Sequence, residues 1–183
     1  KYYTSDNIWE MRKLPERFVI LGAGSIGYEL AKGFAIMGTK VTMVQRNDKI
    51  MVREDLDAIK IIQNQFRSER IKLLLGHTAK SVKVNGAQKT LICGHKGKKV
   101  EVKFDEMLVV LERTPNIEGF GLEELGVELG SRQNIETNDF LQTNYPNIFC
   151  SGDVHGKFQF THTAAHESCY AAVNTLFGNV KKF

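Results

Sequence analysis

Along the first 75 residues, short unbroken apolar runs alternate with longer stretches whose apolar residues recur every three or four positions. "RFVIL" (17–21), "KVTMVQ" (40–45) and "IKLLL" (71–75) have strand length and β-forming composition. Runs of this kind mark strands covered on both faces, as in a parallel sheet. "SIGYELAKGFAIM" (25–37) places Ile26, Leu30, Phe34 and Met37 on one helical side and stops at Gly38. "REDLDAIKIIQNQFRSER" (53–70) is amphipathic, with acids in its first turn where they suit the helix dipole. The order β-α-β-α-β over 17–75 is a mononucleotide-binding half.

The period then changes. "SVKVNGAQKTLICGHKGKKVEVKF" (81–104) alternates apolar and polar residues, with one turn at Asn85-Gly86 and another that is rich in Gly and Lys. It predicts a β-meander rather than another crossover helix. "EMLVVL" (106–111) and "NIFCSG" (147–152) predict two more buried strands, and "HTAAHESCYAAVNTLFG" (162–178) a helix. Residues 1–16, ending near Pro15, predict a linker, and the stretch from Pro115 to about 142 is irregular. No internal repeat or low-complexity tract appears.

Composition adds mostly exclusions. At 42% hydrophobic and 25% charged, the 183-residue chain is that of a globular protein. No apolar run approaches the roughly 18 residues that span a membrane, and the N-terminus has no signal-peptide pattern. The chain opens without Met, which fits processing or excision from something longer. The net charge of +4 is mild. Its densest cluster, "GHKGKKVEVKF" (94–104), lacks the aromatics and arginines of a groove-reading element, so a solvated hairpin is the better reading and no nucleic-acid partner is expected. Cys93, Cys150 and Cys169 form neither a CxxC pair nor a zinc spacing, which suggests reduced thiols in a cytoplasmic protein.

The chemistry lies in "FVILGAGSIGYEL" (18–30). Gly22, Gly24 and Gly27 form GxGxxG between a strand and a helix. There the first glycine permits the turn, the second lets backbone approach a pyrophosphate, and the third lets the helix pack close. The free N–H groups at the helix start then face the phosphates. At the end of the second strand, where an acid would bind the ribose 2′-OH of NAD, stand Gln45 and Arg46, with Arg53 a little further on. Gln tolerates a 2′-phosphate and Arg attracts one, which tilts the choice toward NADPH. The same arginines equally suit a solvated surface. His162 and His166, at i and i+4, would need a third ligand to hold a metal, and none is assigned.

Three stretches together resemble the flavoprotein disulfide reductases, or pyridine nucleotide-disulfide oxidoreductases, and most closely the lipoamide dehydrogenase and mercuric reductase branch. They are "TSDNIWEMRKLPERFVILGAGSIGYELA", "DEMLVVLERTPNIEGFGLEELGV" and "NIFCSGDVHGKFQFTHTAAHES". The resemblance implies an α/β fold: a Rossmann-like, three-layer NAD(P)-binding domain, with helices on one face of a parallel sheet and the β-meander on the other. A partial second α/β segment of FAD type follows. The implied layout is a linker over 1–16, the NAD(P) domain over 17–116, and the later piece of a split FAD domain over 117–183.

The resemblance also assigns roles. Gly22, Ala23, Gly24, Ser25, Ile26, Gly27 and Glu29 become the nicotinamide-dinucleotide loop, with Glu29 near the nicotinamide–flavin contact and Ser25 where relatives often carry a larger gating side chain. Gln45 and Arg46 fall where relatives choose between NAD and NADP, and Lys80 near the adenine. Asp153 matches the aspartate that holds the flavin's ribityl chain or adjoining phosphate, and Gln159, Phe160, Thr161 and His162 meet the flavin's pyrimidine edge. Glu112 replaces a glycine close to the bound dinucleotide, where a carboxylate would repel phosphates. No catalytic acid, base or nucleophile is assigned.

A complete member also has a flavin GxGxxG, a redox-active cysteine pair and a dimerisation domain, none of which appears here. The expected protein is therefore the middle of a longer homodimeric enzyme. It would bind nicotinamide dinucleotide, with its FAD site incomplete in this chain, and would not catalyse alone. A stand-alone dinucleotide sensor is the alternative.

Overall fold

The computed structural model describes every residue except Lys1, Arg53, Glu112 and Lys157. The chain divides into two compact units, Lys1–Glu112 and Arg113–Phe183.

In the first unit, strands β1 (Arg17–Leu21), β2 (Lys40–Gln45) and β3 (Lys72–Leu75) are joined by helices α1 (Ser25–Ile36) and α2 (Leu56–Ser68). Strands β4 (Thr78–Asn85), β5 (Gln88–His95) and β6 (Lys98–Phe104) form the meander, and β7 (Glu106–Val109) returns to the first sheet. The parallel sheet has the order β3-β2-β1-β7, and the antiparallel sheet runs β4-β5-β6. In β1, Phe18 is level with Val41 and Glu106, and Leu21 with Val44 and Val109.

The alternation of β1 builds two cores at once. Phe18 and Ile20 pack with Ala31 and Phe34 of α1 and with Ile59 and Phe66 of α2. Val19 and Leu21 pack with Leu91, Cys93, Val102 and Phe104 of the meander. Helices therefore cover one face of the parallel sheet and the meander the other, giving the three layers expected. The meander turns tightly at both ends. His95 pairs with Lys98 across the two-residue loop Lys96-Gly97, whose φ values of 47° and 76° suit the twist of a hairpin.

The first sixteen residues, expected to link, lie against this sheet. Tyr3 bridges Leu108 in parallel register, and Ile8, in a 3₁₀ turn at Ile8–Glu10, joins the helix-side core. Thr39 anchors the segment's end by donating its hydroxyl to the Pro15 carbonyl at 3.0 Å. The buried stripe of α1 also differs from the expectation. Gly27, Ala31 and Phe34 are buried, whereas Met37 is exposed. Close approach to the sheet favours the small residues, so the stripe rotates away from the largest apolar ones.

The second unit has less regular structure: one turn of helix, α3 (Leu122–Leu125), and the long α4 (Thr161–Phe177). The strand expected over 147–152 does not form. Phe149 makes an isolated antiparallel bridge to Gln142, flanked by the Thr143 N–H to Ile148 carbonyl and Cys150 N–H to Leu141 carbonyl bonds, and the ladder extends no further among the described residues. The small core joins Ile117, Val127, Ile135 and Cys150. Helix α4 turns two polar residues inward, Glu167 at 0% and Asn174 at 1% exposure. Asn174 donates to the carbonyls of Phe140 and Lys181 and accepts from the N–H groups of Val180 and Lys181, so it ties the tail to the helix.

Candidate functional site

Each fingerprint glycine is placed by a different constraint. The Gly22 N–H donates to the Val44 carbonyl at 3.0 Å, locking the loop to the end of β2. Its φ is +107°, and a Cβ there would run into the Val110 carbonyl oxygen. A Cβ on Gly27 would run into the carbonyl of Gly22 itself. Gly24 has the opposite surroundings: its φ is −81°, and a Cβ would meet nothing within 4 Å. Steric need thus explains the first and third glycines. The second is left facing open space.

Gly24 is also the N-cap of α1. No side chain caps this end, and no acid lies in its first turn. The N–H groups of Ser25, Ile26 and Gly27 therefore head the helix without a side-chain acceptor, the arrangement in which helix starts attract anions. Ala23 is buried beneath the loop, and its carbonyl accepts the Met51 N–H at 2.8 Å. This bond draws the segment after β2 back toward the glycines. Glu29 is exposed on α1.

Gln45 ends β2, half-buried, and Arg46 follows it exposed. Both lie at the C-terminal edge of the parallel sheet, the edge that carries the glycine loop. Lys80 lies exposed on β4, beyond the turn after β3. Glu112, expected to crowd the dinucleotide, and Arg53 lie outside the described residues.

In the second unit, Asp153 and the four residues 159–162 come together at the start of α4. Arg113 Nη1 donates to Asp153 Oδ2 at 2.7 Å and reaches the Gln159 carbonyl at 3.4 Å. Phe160 is the N-cap of α4, in extended conformation with no side-chain cap bond, and Thr161 is the first helical residue. The His162 ring stacks on Phe160, with centroids 5.4 Å apart and planes at 13°. This makes a second uncapped helix start, flanked by an exposed arginine–carboxylate pair. His166 packs edge-on against Tyr170 and Phe183 instead of joining His162. Among the described residues, no group of three possible metal ligands exists.

The structure adds residues that sequence reasoning passed over. Arg113 stands in the quoted "LERTPN", and no local signal ties it to Asp153, forty positions on. Beneath Asp153, Glu167 Oε2 accepts the Gly152 N–H at 2.6 Å, and Oε1 lies 3.3 Å from His155 Nδ1. His155 Nε2 meets Thr137 Oγ1 at 2.9 Å. This network fixes the turn that presents Asp153. Burial, reinforced by the charge of Glu167, pushes the Cys150 thiol up to about 11, which favours the protonated thiol at neutral pH. Burial also raises the Cys93 thiol.

The family described as "Pyridine nucleotide-disulphide oxidoreductase" matches residues 1–168. A dihydrolipoyl dehydrogenase of Mycobacterium leprae is 35% identical over 161 residues, 88% of this chain and 34% of its own length. A mercuric reductase of Staphylococcus aureus is 32% identical over 175 residues, 96% of this chain and 32% of its own. Among solved structures, the Cu(II) complex of the HOCl-induced flavoprotein disulfide reductase RclA from Escherichia coli superposes with a TM-score of 0.89 at 25% identity, covering 99% of this chain and 40% of that one. The chain spans about a third of the length of the curated relatives it matches. With the glycine loop, the three layers and the Asp153 turn all in place, this chain belongs to the pyridine nucleotide-disulphide oxidoreductase family.

Proposed function

We propose that the chain is the NAD(P)-binding portion of an FAD-dependent oxidoreductase that passes hydride from NAD(P)H to flavin, and electrons on to a disulfide or other acceptor. One observation carries the reading. Gly22 and Gly27 are fixed by backbone contacts, while Gly24 opens onto space above an uncapped helix start. A loop needed only as a turn would not leave its middle glycine unconstrained.

The bound cofactors would supply the hydride chemistry, and the protein position and electrostatics. The N–H groups opening α1 would hold the pyrophosphate, and Glu29 would lie toward the nicotinamide. Gln45 and Arg46 would meet the adenine ribose, favouring a 2′-phosphate, with Lys80 toward the adenine. Asp153, held by Arg113, would accept hydroxyl hydrogen bonds from the flavin's ribityl chain. Gln159, Phe160, Thr161 and His162 would border its ring at the start of α4. In this reading residues 1–16 lead in, 17–116 form the NAD(P) domain, and 117–183 complete an FAD domain begun elsewhere. The parent would be a homodimer acting in the cytoplasm.

Gly24→Ala tests the reading in the intact protein. The substitution meets no atom and no strained φ, so the fold and its thermal midpoint should hold. The added methyl occupies the pyrophosphate's approach, so NADPH and NADH should each bind on the order of tenfold more weakly, about 1.4 kcal/mol. Unchanged dissociation constants in fluorescence titration would overturn the assignment.

A further inference from the structure

The turn between the parallel sheet and the meander holds a feature that the glycine loop does not explain. The rings of His77 and His95 are stacked with centroids 4.1 Å apart and planes at 8°. His77 follows β3, and His95 ends β5, so two different layers contribute one ring each. Backbone carbonyls fix both rings: His77 Nδ1 lies 2.6 Å from the Leu75 carbonyl, and His95 Nδ1 lies 2.9 Å from the Gly76 carbonyl. An Nδ1–H donated to a carbonyl leaves Nε2 of the neutral ring as an acceptor, and makes it a donor once the ring is protonated. Among the described residues, neither Nε2 meets a hydrogen-bond partner.

The stacked pair is tied to the end of β2. The His77 N–H donates to the Gln45 carbonyl at 2.9 Å, and the Gly76 N–H donates to the Asn47 carbonyl at 2.8 Å. Gly76 has a φ of +66°, and a Cβ there would press on the His95 ring at 3.3 Å. The backbone is therefore shaped to admit the second imidazole. Gln45 and Arg46 sit where a Rossmann-type fold meets the 2′ position of the adenine ribose. The pair occupies the next strand's end along the same edge.

The segments that meet at this corner carry mostly positive charge. From β2 and its loop come Arg46, Asp48 and Lys49, and from β4 comes Lys80. The turn and β6 add Lys96, Lys98 and Lys99. The buried Cys93 thiol of β5 is held neutral by burial. Lysines 80, 96, 98 and 99 line one open groove together with His95 and Gly76. Two carboxylates stand among them: Asp48 after β2, and Glu101 of β6, whose Oε1 lies 2.5 Å from Lys99 Nζ and pairs that lysine.

We infer that His77 and His95 form part of a 2′-phosphate subsite, gripping NADPH more tightly when an imidazole is protonated. The inference rests on the NAD(P) assignment proposed above and adds two ligands to it. Histidine is the side chain whose charge ordinarily changes between pH 5 and 8, whereas lysine and arginine hold theirs through that window. The ligand works the other way: a phosphate monoester gains its second charge near pH 6, so a purely lysine- and arginine-lined site binds it no worse as pH rises. A loss of NADPH affinity with rising pH therefore reports the imidazoles.

The test titrates the intact protein with NADPH and with NADH at pH 6.5 and 8.5. NADPH affinity should fall on the order of tenfold across that interval, while NADH affinity holds within about twofold. His95→Phe and His77→Phe keep a ring in the stack and remove its titrating nitrogens. Each should flatten the NADPH slope and leave NADH binding unchanged. A pH-independent NADPH constant in the unmutated protein overturns the inference while leaving the NAD(P) assignment standing, and needs no variant to fold. Equal slopes for NADPH and NADH also overturn it, by placing the imidazoles away from the 2′ position. Binding of neither nucleotide overturns both readings.

Discussion

The two units reach stability by opposite means. Lys1–Glu112 buries apolar side chains in two clusters, one on each face of a parallel sheet, and its largest fully buried residues are Phe18, Phe66 and Phe104. Among the described residues, the apolar cluster of Arg113–Phe183 joins only four buried side chains, and its best-buried helical positions are a glutamate and an asparagine. Meanwhile α4 exposes Leu176 at 75% and Phe177 at 72%. The first unit is held by area and the second by hydrogen-bond geometry. Area tolerates small shifts, whereas a hydrogen-bond network fails when one member leaves. The network places Asp153 at a defined angle, a task that a greasy contact would perform loosely.

The largest effect should come from Phe66→Ala. This ring is fully buried between α2 and the sheet and stacks on Tyr28 at 5.3 Å. Its loss should cost about 4 kcal/mol, seen as a lower urea midpoint for the first unit's transition. A loss below 1 kcal/mol would mean that the helix-side core is not the main support.

Glu167→Ala should cost about 3 kcal/mol in the second unit, because it leaves the Gly152 N–H and His155 without their acceptor. Glu167→Gln keeps the shape and one acceptor, so it should recover part of that loss. If Glu167→Leu matched the parent in thermal unfolding, the polar account of this unit would fail and the two units would differ only in size.

The smallest effect concerns the pair Arg17–Asp105, which joins the start of β1 to the turn before β7 at 2.5 Å. The Arg17 side-chain hydrogen bond holds the Asp105 carboxyl below its usual range, against the opposing effect of burial. A carboxyl whose folded value is depressed adds stability above its unfolded value, near 4, and loses it as pH falls through the folded value. Asp105→Asn should therefore lower the thermal midpoint at pH 7 and leave it unchanged near pH 2. An equal drop at both values would show that the side chain acts by shape rather than charge.

Local patterns made most of the first unit legible. The strands at 17–21 and 40–45 form within the bounds that their apolar runs suggest, and the meander follows from alternation and turn residues. What escaped depends on distant partners. The rotation of α1 follows from how closely the sheet approaches Gly27 and Ala31. The strand expected at 147–152 shrinks to one bridge, Phe149 to Gln142, a pairing that only the fold supplies. Glu167 and Asn174 look like surface polar residues in any helical wheel, because burial is decided by the turn and tail that supply their partners. The histidine stack brings together residues from two layers, which no spacing rule connects. At the candidate site, the glycine loop and its helix were legible because each requirement falls within a few residues. Arg113 was not, because its partner Asp153 lies forty positions on.

The two-faced burial of β1 has a consequence for how the chain selects its alignment during folding. On a strand with one wet face, a slip by one residue is punished by putting charge inside. Here both faces are dry beyond Arg17, so along the strand's interior polarity carries no information about register. Discrimination falls to volume, with Phe18 and Ile20 on the helix side and Val19 and Leu21 on the meander side. The alignment is thus chosen by fit, as a key is by its cuts, with the Arg17–Asp105 pair as the stop against which the strand comes to rest.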